Sequence, residues 1–195
     1  IKSAGLVGIS DREGSVYDYF RDRLIFPIED PRGQVIGFGA RALGEIKPKY
    51  LNSPESPSFV KKSVLYGWSR ARKAARRGLP VIVVEGYMDV IAVSSSGVAA
   101  AVAPLGTALG EDQFRLLWKL SNDPVLCFDG DKAGQIAAQR AIERVLPLLE
   151  PGRSVRLAVL PEGQDPDDIL RQKGPDGMRR ILSAATGLSL IHISE

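Results

Sequence analysis

From residue 80 onward, short apolar runs alternate with stretches of helical periodicity, and two of the runs stop at an acid. Val81-Ile-Val-Val-Glu85, Ala99-Ala-Ala-Val-Ala103, Val125-Leu-Cys-Phe-Asp129 and Val155 to Leu160 read as strands. Met88 to Ser96, closed by Gly97, then Glu111 to Leu120 and Lys132 to Leu149, read as helices. Continuous apolar strands separated by helices require a parallel sheet covered on both faces. In such a sheet a ligand binds outside the carboxyl ends of the strands. Two further helices are expected, from about Pro166 to Lys173 and from Pro175 to Ala185.

The region before residue 80 has a different character. Leu24-Ile-Phe-Pro-Ile-Glu-Asp30 and Gln34-Val-Ile-Gly-Phe-Gly39 flank Pro31-Arg32-Gly33, the pattern of a β-hairpin. Residues 42–67 are rich in Gly, Pro, Lys, Ser and Asn and read as loop with short strands. Trp68 to Arg77 is a short basic helix ended by Gly78 and Pro80. The whole reads as a small mixed α+β lobe. Residues 1–78 hold 15 Lys and Arg against 8 Asp and Glu, whereas residues 79–195 hold 11 against 15. A basic part beside an acidic part fits a polyanion contact next to a cation site.

Three acidic groups fall where the sheet should bind its ligand. Glu85 closes a strand, and Asp89 lies in the first turn of the helix that follows. The helix dipole favours an acid at Asp89, so capping alone would account for it. Glu85 has no such explanation, because an acid at the end of an apolar strand costs free energy unless paired or metal-bound. Asp129 and Asp131 flank Gly130, and alternate residues near a strand end point to one side. Asp165-Pro-Asp167-Asp168 follows the fourth strand, where Asp-Pro is also ordinary helix-start chemistry. Three acidic clusters on one sheet edge repel one another without cations. Hard oxygen ligands unaccompanied by His or Cys point to Mg²⁺ or Mn²⁺, ions that act on phosphates.

Other chemistries are excluded. One Cys (Cys127) and one His (His192) rule out a disulfide framework and a structural zinc cluster within the chain. An EF-hand loop starting at Asp129 would need oxygen ligands where Ala133 and Arg140 stand. The Gly37-x-Gly39 pair sits in a hairpin, not in the strand-to-helix turn of a dinucleotide site. Cys127 is most simply a core residue. No apolar run reaches the roughly 18 residues of a membrane span.

Glu85-Gly-x-x-Asp89 followed by Asp129-x-Asp131 resembles the Toprim domain of bacterial primases, topoisomerases, some nucleases and recombination proteins. The wording is similar to the DnaG-type bacterial primases in particular. That holds for Val84-Glu-Gly-Tyr-Met-Asp-Val90, Phe128-Asp-Gly-Asp-Lys-Ala-Gly134 and Gly163-Gln-Asp-Pro-Asp-Asp168. It holds also for Arg21-Asp-Arg-Leu-Ile-Phe-Pro-Ile28, Gly37-Phe-Gly-Ala-Arg41, Pro48-Lys-Tyr-Leu-Asn-Ser-Pro54 and Leu65-Tyr-Gly67. The resemblance implies a Toprim-type α/β parallel sheet flanked by helices, preceded by a small basic α+β lobe and followed by the start of a helical subdomain. The implied domain division is 1–78, 79–161 and 162–187. Residues 188–195 match no motif upstream and are read as a possible foreign tail.

The same resemblance implies an RNA-polymerase core that synthesises short RNA primers on single-stranded DNA from ribonucleoside triphosphates, leaving an RNA–DNA hybrid. Glu85, Asp89, Asp129, Asp131, Asp165 and Asp167 would form its Mg²⁺- or Mn²⁺-binding catalytic centre. Arg41, Lys49 and Lys61 would hold template or nucleotide. The family's Gly-Gly-Arg stands here as Gly39-Ala-Arg41, and its His-Lys-Gly as Val60-Lys61-Lys62. Tyr50 and Asn52 lie among these cations, where an aromatic can stack a base, although Tyr50 equally suits a core. The residues alone leave Glu85 open as metal ligand or general base. Arg70 to Arg77 reads as a solvated helix face outside the site. The chain is expected to be an interior piece of a longer cytosolic protein, without signal peptide or membrane contact. Its zinc module and its helicase-binding domain would lie elsewhere. The rival expectations are another Toprim enzyme, a nuclease or topoisomerase, and a non-catalytic DNA-binding module.

Overall fold

The computed structural model describes residues 5–10, 14–106 and 108–188. Apolar alternation in the second half does produce the expected layers. Strands β6 (Val81–Val83), β7 (Ala100–Val102), β8 (Val125–Phe128) and β9 (Arg156–Val159) lie parallel in the order β9-β8-β6-β7. Within β6, Val81 and Val83 face one way and Ile82 and the following Val84 the other, and all four are buried. The first pair packs against α1 (Trp68–Ala75), α3 (Glu111–Leu117) and α4 (Lys132–Val145) through Trp68, Phe114 and Val145. The second pair packs against α2 (Tyr87–Ser96) and α5 (Pro166–Ser183) through Val90, Val93, Ile169 and Met178. Both faces are therefore covered, as a parallel sheet requires.

Helix boundaries follow local chemistry. Gly97 ends α2 in the left-handed conformation at φ 67°. The two helices expected after residue 165 are present, labelled together as α5 and separated by a non-helical Gly174 with φ 64° and ψ −174°, immediately before Pro175. An element not anticipated from the sequence closes the sheet: β10 (Thr186–Gly187) pairs antiparallel with β9. Leu188, the first residue of the supposed tail, is buried against the α4 side, and residues 189–195 lie outside the described residues.

The expected hairpin is β3 (Arg23–Glu29) against β4 (Val35–Ala42), and β5 (Tyr50–Asn52) adds to β4 as a third antiparallel strand. A second hairpin, β1 (Val7–Ile9) with β2 (Val16–Asp18), precedes it in residues whose pattern gave no strand signal. Phe26, Ile28, Phe59 and Tyr66 of this lobe join the same buried cluster as Ile82, Val84 and Tyr87, so the lobe and the parallel sheet share a core. Gln113 of α3 reinforces the junction. It is fully buried, and its amide donates to the carbonyls of Lys61 at 3.2 Å and Val64 at 2.9 Å. Its carbonyl accepts from the Gly110 amide, capping its own helix. Gln113→Ala strands two carbonyls and an amide, and is expected to destabilise the protein by about 1–3 kcal/mol in denaturant titration.

Candidate catalytic edge

Glu85 and Asp129 leave the ends of the adjacent strands β6 and β8. The strands are in register through Ile82–Val125 and Val83–Leu126, so the two acids emerge side by side. Glu85 Oε1 accepts the Asp129 backbone N–H at 2.9 Å. Glu85 Oε2 has no hydrogen-bond partner among the described residues. Asp129 Oδ1 is buried and likewise without a partner among them. An orphaned buried carboxylate oxygen is costly unless something outside the chain completes it.

The other acids are held by helix N-termini. Asp89 Oδ2 accepts from the Gly86 N–H at 3.1 Å and caps α2, the explanation that its position in the first turn suggested. Asp131 Oδ1 accepts from the Gly134 N–H at 2.7 Å and caps α4. Asp165 Oδ1 accepts from the Asp168 N–H at 2.7 Å and caps α5. Asp167 pairs with Arg171. Gly130 draws the last cap inward. Its N–H donates to the Gln164 carbonyl at 3.0 Å, and its own carbonyl accepts from the Gly163 N–H at 3.1 Å. A Cβ at Gly130 would meet the Pro161 carbonyl oxygen at 1.9 Å, so only glycine lets the loop before Asp165 lie against the end of β8.

Electrostatics show how closely the groups are gathered. Burial, then Asp165, Glu85 and Asp167, push the Asp89 carboxyl up to about 7, against the lowering effect of the Gly86 N–H. Burial, then Glu85, Asp89, Asp165 and Asp131, push Asp129 up to about 7. All six expected acids thus act on one neighbourhood. They do not form a finished chelate: among the described residues no three His, Cys, Asp or Glu side chains are grouped to hold a metal. The caps explain this, because three of the carboxylates are drawn to backbone N–H groups. Cys127, one residue behind Phe128, is buried, with its thiol pushed up to about 12 by burial and by Asp129 and Asp89. It is core, as expected.

The basic candidates meet this edge through Tyr87, which sequence reasoning passed over. Arg41 lies opposite Tyr50, and Gly39 opposite Asn52, so these four share one face of the β3–β4–β5 sheet. The Tyr87 ring lies over Gly39, where a Cβ would stand 2.2 Å from its hydroxyl oxygen. It stacks on Phe26 at 4.8 Å and on Tyr50 at 6.3 Å, and its hydroxyl donates to Asn52 Oδ1 at 2.5 Å. Burial pushes the phenol up, so it remains a neutral donor. The available signal was an aromatic between the two acids of Glu85-Gly-Tyr-Met-Asp89. Tyr50 keeps 41% exposure and Lys49 is exposed, whereas Asn52 commits its carbonyl to Tyr87. Lys61 belongs to a different element, a 3-10 turn at Lys61–Ser63 whose backbone Gln113 holds. Among the described residues Arg41, Lys49 and Lys61 form no ion pair.

A parallel sheet with capped acids at its carboxyl edge and a cationic antiparallel lobe docked on it are the two parts that the family comparisons name. Residues 1–72 match the N-terminal domain of the DNA primase catalytic core, and residues 80–158 match the Toprim domain. A DNA primase of Pseudomonas aeruginosa is 51% identical over 187 residues, 95% of this chain and 28% of that protein. A DNA primase domain from Pseudomonas aeruginosa superposes with a TM-score of 0.92 at 49% identity, over 98% of this chain and 60% of that one. A DnaG primase catalytic domain bound to ssDNA gives 0.87 at 44% identity, over 96% and 58%. The chain belongs to the DnaG-type bacterial primase family, and it spans under a third of the curated relatives' length.

The raised carboxyls give a stability signature. Folded Asp89 and Asp129 hold their protons up to about 7, whereas unfolded they release them near 3.8. Their contribution to stability is therefore lost as pH rises from about 4 to about 7 and stays lost above it. In chelator, Asp129→Asn is expected to raise the melting temperature at about pH 8 and to flatten its fall between about pH 5 and 7. A lowered melting temperature at pH 8 would show that burial and the neighbouring acids do not hold the Asp129 carboxyl up.

Proposed function

We propose that the intact protein is a DNA primase, a DNA-directed RNA polymerase that makes short RNA primers on single-stranded DNA for replication. The observation that carries this reading is the Tyr87 junction, which seats the Glu85–Asp129 edge against the Arg41–Tyr50 face. A nucleotidyl transferase needs such a pairing: carboxylates for divalent ions beside cations for phosphates.

The residues fit a divalent ion. Asp129 Oδ1 and Glu85 Oε2 are open acceptors, the donor set is all hard oxygen, and burial together with the neighbouring carboxylates raises Asp89 and Asp129. Glu85 and Asp129 would be the principal ligands of Mg²⁺ or Mn²⁺, with Asp131, Asp89, Asp165 and Asp167 supplying further negative charge. A bound ion there neutralises a triphosphate and lowers the pKa of an attacking 3′-hydroxyl. Arg41, Lys49 and Lys61 hold phosphates of template or nucleotide, giving salt-dependent and mostly sequence-independent binding. Tyr50, exposed and backed by Tyr87, offers a platform on which a base can stack. Asn52 acts by positioning Tyr87. Glu85 serves as ligand or as the base that accepts the hydroxyl proton.

In this reading residues 1–78 are the basic lobe, 79–161 the catalytic domain, and 162–187 the start of a helical subdomain. The protein works in the bacterial cytoplasm at the replication fork, with the replicative helicase contacted and zinc held by parts outside this chain. No helix among the described residues is long and apolar enough to cross a membrane.

The test uses the full-length protein with single-stranded template, ribonucleotides and Mg²⁺ or Mn²⁺. Short RNA products are expected, and none in the presence of chelator. DNA cleavage, relaxation, or binding without synthesis would overturn the reading. Asp129→Ala is expected to abolish synthesis with template affinity changed less than about threefold. Arg41→Ala is expected to weaken binding and to lower its salt dependence by about one phosphate contact.

A further inference from the structure

The basic helix α1 is unused by the site above. Arg72, Lys73, Arg76 and Arg77 on or just beyond it are exposed, as is Lys119 at the end of α3. None of the five forms an ion pair among the described residues. Exposed helical cations ordinarily find carboxylates at i±3 or i±4. Here α1 has no acid in its sequence, WSRARKAA. Between α1 and α3 lies a hollow of about 420 Å³ lined by Trp68, Arg72, Ala75, Arg76, Lys119 and Leu120. Trp68 is 7% exposed, and its indole Nε1 is buried with no hydrogen-bond partner among the described residues. Arg72 is fixed over the Trp68 ring at 5.6 Å. Three cations around one hollow form a ready anion receptor.

The hollow is remote from the carboxylates. Gly78–Pro80 leads from α1 into β6, and residues 118–124 lead from α3 into β8, so Arg76, Arg77 and Lys119 gather at the amino ends of the strands. Glu85 and Asp129 stand at the carboxyl ends, about 13 Å away along β6. A ligand touching both ends must bend around the sheet. A duplex product is too stiff for that over so short a path, whereas a single strand follows the surface.

We propose that α1 and the end of α3 form a second contact for the phosphates of single-stranded DNA, separate from the catalytic edge. The inference rests on the primase reading, since it takes the template as the anion. Its role is to retain the strand once it has left the carboxylate edge, adding affinity without sequence preference.

The test measures binding of oligo-dT by the full-length protein across a salt series, with lengths of roughly 4 and roughly 30 nucleotides. Arg76→Glu with Lys119→Glu leaves the Arg72–Trp68 contact in place. This double variant is expected to weaken the longer oligomer about tenfold or more at low salt. It is also expected to reduce the slope of log K against log[salt] by about 1.4, for two phosphate contacts. The shorter oligomer, long enough only for the catalytic edge, should bind within about twofold of wild type. Arg76→Lys should retain the wild-type slope. An unchanged slope with the longer oligomer overturns the second contact, as does an equal loss with both lengths. Capture of an acidic protein by the patch, with DNA binding unchanged, assigns it to another partner and overturns it too. Failure of the wild-type protein to bind either oligomer would instead remove the primase reading itself.

Discussion

The placement of everything functional depends on one aromatic ring. Tyr87 sits in the turn after Glu85, where the chain enters α2, and its ring is pressed between Phe26, Tyr50 and Tyr66. Its hydroxyl reaches Asn52 across the junction. Close stacking of this kind adds about 0.5–1.5 kcal/mol beyond area burial, and a buried phenol needs its partner. The geometric consequence matters more than the energy. The acid on one side of Tyr87 and the cation-bearing strand on the other are tied together, because the ring fills the space that the absent side chain of Gly39 leaves.

The acidic edge shows a second constraint. In a sheet wound with helices, every helix begins just past a strand's carboxyl end, so helix N-termini converge where the ligand binds. Asp89, Asp131 and Asp165 occupy those N-termini and satisfy backbone donors that would otherwise lack partners. The fold thereby concentrates negative charge with structural compensation for most of it. Glu85 and Asp129 receive little of that compensation. Glu85 takes a single N–H, and Asp129 retains an oxygen with none. These two are where the architecture tolerates unfavourable electrostatics, as functional sites generally do.

Much of this was readable from the chain. The continuous apolar run of Val81 to Val84 and the glycine and proline punctuation at Gly97 and Pro175 marked elements that the structure contains. The acids at the ends of two strands marked the edge. What remained hidden has physical reasons. The β1–β2 hairpin has three-residue strands with mostly exposed side chains, which leave no periodic pattern. The two-residue β10 is formed by pairing with β9, not by propensity. The roles of Tyr87 and Asn52 arise from contact between residues 35 positions apart, and no local rule reports such a contact. The same limit applied to Gln113, a polar residue whose full burial follows from two carbonyls supplied by a distant turn.

Because three of the acids serve folding as well as charge, the two pressures on the edge are unequal. If a descendant of this chain were freed from catalysis, drift would not erase the acids at random. Asp131 and Asp165, which stand at N-caps, would persist as Asp or pass to Asn and Ser, while Asp89, three residues past its N-cap, would persist or pass to Glu or Gln. Glu85 and Asp129 would disappear first, since their replacement relieves repulsion and costs no helix its start. A decayed copy would therefore still look acidic at a glance, with its loss of chemistry recorded at two positions.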